Sequence, residues 1–533
     1  MATTRREALA GAAGMGLMLA AGGEGLGASA AVRRFHYSVD GALIDAEPTM
    51  LPYLRASGVT DLWLGWWVSA TPPNDEQMRL MTGWKSRIEA AGMAAHMILV
   101  PLGHPGEGPK QPRFPVDGHW GVRPDGSTYA GTAFHPPVLR DTAAALERFR
   151  PAAFRRWFLD DDFRVAQSPF DIGGCFCPQH QATFLKRYGL AEGRWPELLE
   201  AVAKRQPTAL LKQWIEFTCD ELTGCFRSMR TAAGKGVDMG VMVMYLGCER
   251  AGIGLPDYRG VPFRVGELMF EDAGFNPVKG KTDELYGVLF HRRFVRPDMA
   301  YSETTAYPPE RLSPRNGAAK LCTSTLADVR NTMMMCMNLA DWERRSPGLM
   351  ASAMRKHARL HQAVAGHTPR GPFKHFYGDA SRLVGGDWPY SLFLALGVPF
   401  EVTAKPSAGG WTFLSDADAQ AAAAGRLKSP GTAFICRPGK ADGPACRPVA
   451  DDLDVLFALR RSLLPKLAAV PHVEEELPVV CAWYPTARAV LLWNLQEQPV
   501  EITLRHGGVR RPVRIGPLDM ELVEGLAAGR PTV

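Results

Sequence analysis

Residues 155–165 read RRWFLDDDFRV, an apolar run that closes on Asp160, Asp161 and Asp162. Three adjacent carboxyl groups repel one another, and such a cluster serves chemistry in one of two ways: it hands protons to a reacting group, or it ligates a hard cation such as Ca²⁺ or Mg²⁺. The plainer alternative is a solvated strand end balanced by Arg155, Arg156 and Arg164. Further acids follow apolar runs downstream, Glu271 and Asp272 in VGELMFEDAG and Glu303 in DMAYSETTAY. For Glu303 the plainer alternative is an ion pair with a base such as Arg311. A different chemistry attaches to GCFCPQHQ, where Cys175, Cys177 and His180 are soft donors within six residues. A buried thiol pair or a redox pair would have the same spacing.

The acids act together only if the fold gathers them. Eight apolar runs alternate with longer helical patterns: 35–41, 61–70, 94–103, 155–163, 238–247, 265–274, 298–307 and 331–340. Near-continuous apolar strands separated by helices indicate a parallel sheet covered on both faces. Eight such units predict a (β/α)8 TIM barrel, in which chemistry sits at the carboxyl ends of the strands. Asp160–Asp162 end the fourth run, Glu271 and Asp272 the sixth and Glu303 the seventh, so the barrel would bring all of them to one mouth. Beyond it, WTFLSDADAQAAAAGRL and GTAFICRPG predict a small α/β domain, and the alternating AVLLWNLQEQPVEITLRHGG predicts an antiparallel β-domain.

Composition narrows the function classes. At 533 residues the chain exceeds one hydrophobic core, and 46% hydrophobic with 22% charged residues is ordinary globular protein. A formal charge of +6, with no long Lys/Arg run, speaks against nucleic acid as a partner. Residues 1–30 carry Arg5 and Arg6 before an Ala/Gly-rich segment closing on ASA, which predicts a twin-arginine export signal and a periplasmic or secreted mature protein. No later segment reaches about 18 uninterrupted apolar residues, so no membrane span is expected. The ten cysteines begin only at Cys175 and read mostly as buried single thiols; Cys436 and Cys446 bracket a Pro/Gly turn that a local disulfide would suit.

FLDDDF, then GCFCPQHQATFLKRYG, WPELLEAV and LLKQWIEF, resemble the fourth-strand region of glycoside hydrolase family 42, the β-galactosidase-type enzymes of clan A. The resemblance extends to the domain order: a catalytic barrel over 31–368, a glutamine-amidotransferase-like α/β domain over 369–470 and a β-domain over 471–533. It implies a glycosidase acting on an oligosaccharide through two carboxylates, with Asp162 at the acid/base position, Asp161 where the family has Asn, and Glu303 as nucleophile. Crowded negative charge is one way to hold an Asp protonated for that work. Asp is one methylene shorter than the family Glu; retention is expected, and a carboxyl separation of about 5–5.5 Å as against about 6.5–9.5 Å decides between retention and inversion. Trp66, Trp67, Tyr245 and Trp342, near strand ends, would offer apolar faces to sugar rings, with Asp160, Asp161, Glu271 and Asp272 as polar contacts. The family's zinc ligands fall on His135, Cys175, Cys177 and His180, a Cys₂His₂ set suited to structural Zn²⁺. The resemblance also implies a homo-oligomer, a trimer. The competing reading is a carbohydrate-binding barrel that has lost catalysis.

Overall fold

The computed structural model describes residues 33–68, 72–100, 120–132, 136–160, 163–166, 170–243, 246–265, 271–306, 308–335, 337–385, 389–406, 408–429, 434–441, 444–467 and 469–526. Eight parallel strands close into a barrel: β1 (Arg34–Val39), β2 (Asp61–Trp67), β3 (Ala94–Val100), β4 (Arg156–Leu159), β5 (Asp238–Val243), β6 (Phe263–Val265), β7 (Ala300–Thr305) and β8 (Asn331–Met335). Each pairs with its sequence neighbours, and β1 closes the ring on β8. The expected strands and the expected (β/α)8 architecture are both found. The sixth is the exception in placement. Its ladder begins at Phe263 rather than at Val265, and Glu271 and Asp272 lie at the start of a short helix, Asp272–Phe275, instead of at a strand end.

Side chains alternate along each strand, so every second residue faces the barrel axis. Trp63, Ile98, Phe158, Tyr301 and Met333 form one such layer, each at most 1% exposed. Gly240 on β5 makes room for it: a Cβ there would stand 2.5 Å from the Phe158 ring. Two residues further along their strands, on the same face, come Asp160 and Glu303.

The layer rests on a polar floor. Asp61, at the start of β2, accepts from Arg34 through two hydrogen bonds of 2.7 Å and from Thr60 Oγ1 at 2.6 Å, and lies 2.8 Å from His96 Nε2. Burial alone would raise its pKa, but the hydrogen bonds from His96 and Arg34 hold it below the usual carboxylate range. Trp63 Nε1 donates to His36 Nδ1 at 3.1 Å, which leaves Nε2 as the donor to Asn331 Oδ1 at 3.1 Å and makes His36 neutral. Burial pushes its pKa down to about 3, and lowers that of His96 as well. Such a network at the amino ends of barrel strands serves stability.

A five-stranded parallel sheet follows, with β9 (Phe373–Phe376), β10 (Phe400–Thr403), β11 (Trp411–Leu414), β12 (Phe434–Cys436) and β13 (Cys446–Pro448) in the order β10-β9-β11-β12-β13, the flavodoxin-like arrangement. Cys436 on β12 and Cys446 on the neighbouring edge strand β13 are free thiols, with no disulfide between them. The last segment folds as two antiparallel three-stranded sheets within 472–523. One hydrophobic cluster runs from Phe35 in the barrel through Phe373 to Leu491 and Met520, and the described residues from Arg33 to Leu526 belong to one compact unit. No helix among the described residues is long and apolar enough to cross a membrane.

Candidate active site

The carboxyl ends of β4, β6 and β7 bring together three charged side chains. Arg264, in the middle of the three-residue strand β6, is fully buried, and its guanidinium makes ion pairs with Asp160 and with Glu303. Asp160 follows β4, its backbone N–H bonded to Leu99 O at 2.8 Å, so the strand ladder fixes its aim. Glu303 is central in β7, and only 1% of its side chain is exposed, against 19% for Asp160. Thr305 Oγ1 donates to Glu303 Oε1 at 2.8 Å, and the Arg264 guanidinium lies 5.7 Å from the centroid of the Phe158 ring. Two carboxylates thus approach within the reach of one guanidinium, whose planar fork suits simultaneous recognition of both. The cation offsets their mutual repulsion, which a water-poor barrel interior would otherwise magnify.

Strand order in the sequence places Asp160 and Glu303 at one mouth, as found, but does not reveal Arg264 and Thr305. A signal for the arginine is present in VPFRVGELMF, since a lone Arg inside a run destined for burial requires an acid opposite it. Asp161, Asp162, Tyr245 and His135 lie outside the described residues.

The remaining candidates are placed as follows. Glu271 pairs with Arg311 at 2.9 Å on the surface, so Arg311 meets Glu271 rather than Glu303. Asp272 accepts from Ser313 N, Ser313 Oγ and Asn316 Nδ2 at 2.7–3.0 Å, which ties its helix to the helix Pro314–Ala319. Trp66 is half-buried, with Trp84 and Phe149 beside it at ring-centroid distances of 6.4 and 6.1 Å. Trp67, the last residue of β2, is 47% exposed at the carboxyl end of the barrel. Trp342 is buried, and its ring leaves no space for a Cβ at Gly317.

The loop after β4 carries the thiol cluster. Gly173 and Gly174 allow it to lie flat: a Cβ at Gly173 would collide with Val165 O, and Gly174, at φ +114°, lies against the Trp214 indole. Trp214 Nε1 donates to Gly173 O at 2.9 Å, and Phe176 N to Val122 O at 2.8 Å. So held, the donor atoms of Cys175, Cys177 and His180 lie within 4.8 Å of one another, with Cys177 Sγ 3.1 Å from His180 Nδ1. Burial pushes the Cys175 thiol up to about 12. Three soft donors converging on one point fit a zinc-type cation, which would stabilise the thiolates that burial disfavours.

No family model and no curated protein matches the chain. Among solved structures it is similar to a GH5_18 variant from Streptomyces cattleya in complex with Manb1-4GlcNAc, at 12% identity and a TM-score of 0.37, covering 66% of this chain and 87% of that one. A GH5_18 variant from Bifidobacterium longum subsp. longum, in complex with the same disaccharide, is similar at 11% identity and a TM-score of 0.40, covering 68% and 86%. The GH5_18 protein of that organism gives 10% identity and a TM-score of 0.40, covering 65% and 84%.

Proposed function

We propose that the chain is a glycoside hydrolase cleaving an oligosaccharide by a two-carboxylate mechanism, with Glu303 as nucleophile and Asp162 as proton donor. The observation that carries this reading is the meeting of Asp160 and Glu303, from β4 and β7, at the carboxyl end of the barrel. Glu303, ion-paired with Arg264, is suited to act as an anion. Asp160 is engaged by the same cation, which leaves the proton-donating role to the next acids of the run. In the first step a Glu303 oxygen bonds to the anomeric carbon while the glycosidic C–O bond breaks and the Asp162 proton passes to the leaving oxygen. Asp162 then takes a proton from water, which displaces Glu303 with net retention. Asp161 would contact the sugar, and Trp67 is exposed where a pyranose face would stack.

Three further parts belong to the reading, the first supported by Arg5, Arg6 and the ASA site of residues 1–30 and the other two by the resemblance to family 42. The mature protein works outside the cytoplasm after twin-arginine export. Cys175, Cys177 and His180, with His135, hold a structural Zn²⁺ that pins the loop after β4. The chain assembles as a homo-oligomer.

One observation favours a second reading, a binding barrel without catalysis: the Glu303 side chain, ion-paired with Arg264, is only 1% exposed. Product chromatography on oligosaccharide mixtures and aryl glycosides separates the two. New reducing ends support the hydrolase; saturable binding without any new reducing end supports the silent barrel.

A further inference from the structure

We infer that the opposite end of the barrel carries a second binding site, a groove for an anionic polysaccharide. Two segments form it: the turn leading into β4 and the turn leading into β5 from the helix Ala209–Ala233. The groove measures about 1030 Å³, and its walls carry five cations, Arg150, Arg155, Arg227, Arg230 and Lys235, with no acid among its lining residues. Arg150 is occupied structurally, because its guanidinium donates to Ala232 O at 2.5 Å and Thr231 O at 3.3 Å, satisfying carbonyls at the helix end. The other four are exposed, and their side chains make no ion pair or hydrogen bond among the described residues.

The groove gathers its four unpaired cations in one concavity. Elsewhere on the helices that follow β4 several cations are paired, as in Arg187–Asp220, Arg194–Glu197 and Lys204–Glu200. Of the acids closest in sequence, Glu147 lies beside Arg150, the structurally occupied cation, and Asp238 beside Arg156, outside the lining, so neither meets the other four. Four unneutralised cations in one concavity repel each other, and an anion entering the groove removes that cost. Guanidinium groups recognise carboxylate and sulfate in bidentate fashion.

The shape selects among polyanions. At the upper end of the usual ligand range of about 300–1,000 Å³, the groove takes several sugar units. Its one aromatic, Phe154, is 2% exposed and offers no stacking face for a nucleobase. No large apolar side chain protrudes from it to enter a lipid surface. The preference for a polysaccharide rests on the proposed glycosidase reading. The groove lies roughly 16 Å from the mouth, at about 3.3 Å per residue along β4. A chain held there is kept at raised local concentration while the mouth works on another stretch of it.

Affinity electrophoresis of the full chain in gels containing polygalacturonate, dextran sulfate or neutral dextran tests this. The first two should retard it and neutral dextran should not; stronger retardation by one identifies carboxylate or sulfate as the preferred group. Arg227→Gln combined with Arg230→Gln and Lys235→Gln should weaken retardation about tenfold, salt should weaken it further, and hydrolysis of a neutral aryl glycoside should be unchanged. Absence of retardation overturns the proposal, as does equal retardation of the variant. Tighter binding of a single-stranded oligonucleotide or of phosphatidylglycerol vesicles overturns it in favour of those partners. Retardation of a chain that hydrolyses nothing would sustain the groove and overturn the glycosidase reading instead.

Discussion

Arg264 and Glu303 meet as a fully buried ion pair across the adjacent strands β6 and β7, and the same guanidinium reaches Asp160. Removing one member of such a pair leaves an uncompensated buried charge, at a cost of about 3–5 kcal/mol. Arg264→Met should therefore lower the unfolding midpoint markedly. Arg264→Lys, which keeps the charge without the fork, should fold but lose kcat more than it raises KM. Unchanged kinetics in the Lys variant, measured on an aryl glycoside, would remove Arg264 from the site.

Glu303→Gln removes one charge at constant shape. Turnover should fall by at least about a thousandfold while ligand binding persists, because the covalent step loses its nucleophile. Asp162→Asn should damage substrates with poor leaving groups most, since an aryl leaving group needs little protonation. Comparing kcat/KM across a leaving-group series reads both. Rates close to those of the unaltered protein in both variants would exclude this pair.

The floor of the barrel predicts an acid limit. His36 is held neutral with its pKa near 3, well below the unfolded value of about 6.5. The unfolded chain therefore binds the extra proton first. The contribution of His36 stands in full above about pH 6.5 and declines as the pH falls through the window down to about 3, by an amount on the order of 5 kcal/mol. His36→Gln should be less stable near neutrality, yet its urea midpoint should drop less between about pH 7 and about pH 4. An unaltered pH dependence would contradict the assignment.

Protein purified without chelator should carry about one zinc per chain. Cys175→Ser or Cys177→Ser should abolish it and lower the melting temperature. Full stability of the unaltered chain after exhaustive chelation, with zinc demonstrably absent, would dismiss a structural metal.

Asp272 gives a contrasting case. Its three hydrogen bonds to Ser313 and Asn316 assign it to packing, so Asp272→Ala should cost about 1–3 kcal/mol of stability with kcat intact. Selective loss of kcat at full stability would return it to the substrate.

The barrel was legible because its strands are buried on both faces and read as separate apolar runs, from FHYSVDG to NTMMMCMNLA. The convergence of Asp160 and Glu303 followed from strand order alone. Arg264 was hidden because a charge inside an apolar run does not name its partner, and two candidates arose from β4 and β7. Periodicity sets the sixth strand too late because VGELMF is more uniformly apolar than the ladder Phe263–Val265 that precedes it. The basic groove was invisible for another reason: its cations come from segments about 70 residues apart, and neither segment is a basic run by itself.

The hydrophobic cluster that extends from Phe35 through Phe373 to Leu491 has an evolutionary consequence. A barrel separated at the composition change near residue 369 would carry away one half of a shared interior and present the other half to water. The three sheet systems are therefore poor currency for recombination. Shuffling the later ones onto another barrel would demand simultaneous changes on both sides of the join, so this lineage is expected to diversify through the loops at its mouth while inheriting its architecture whole.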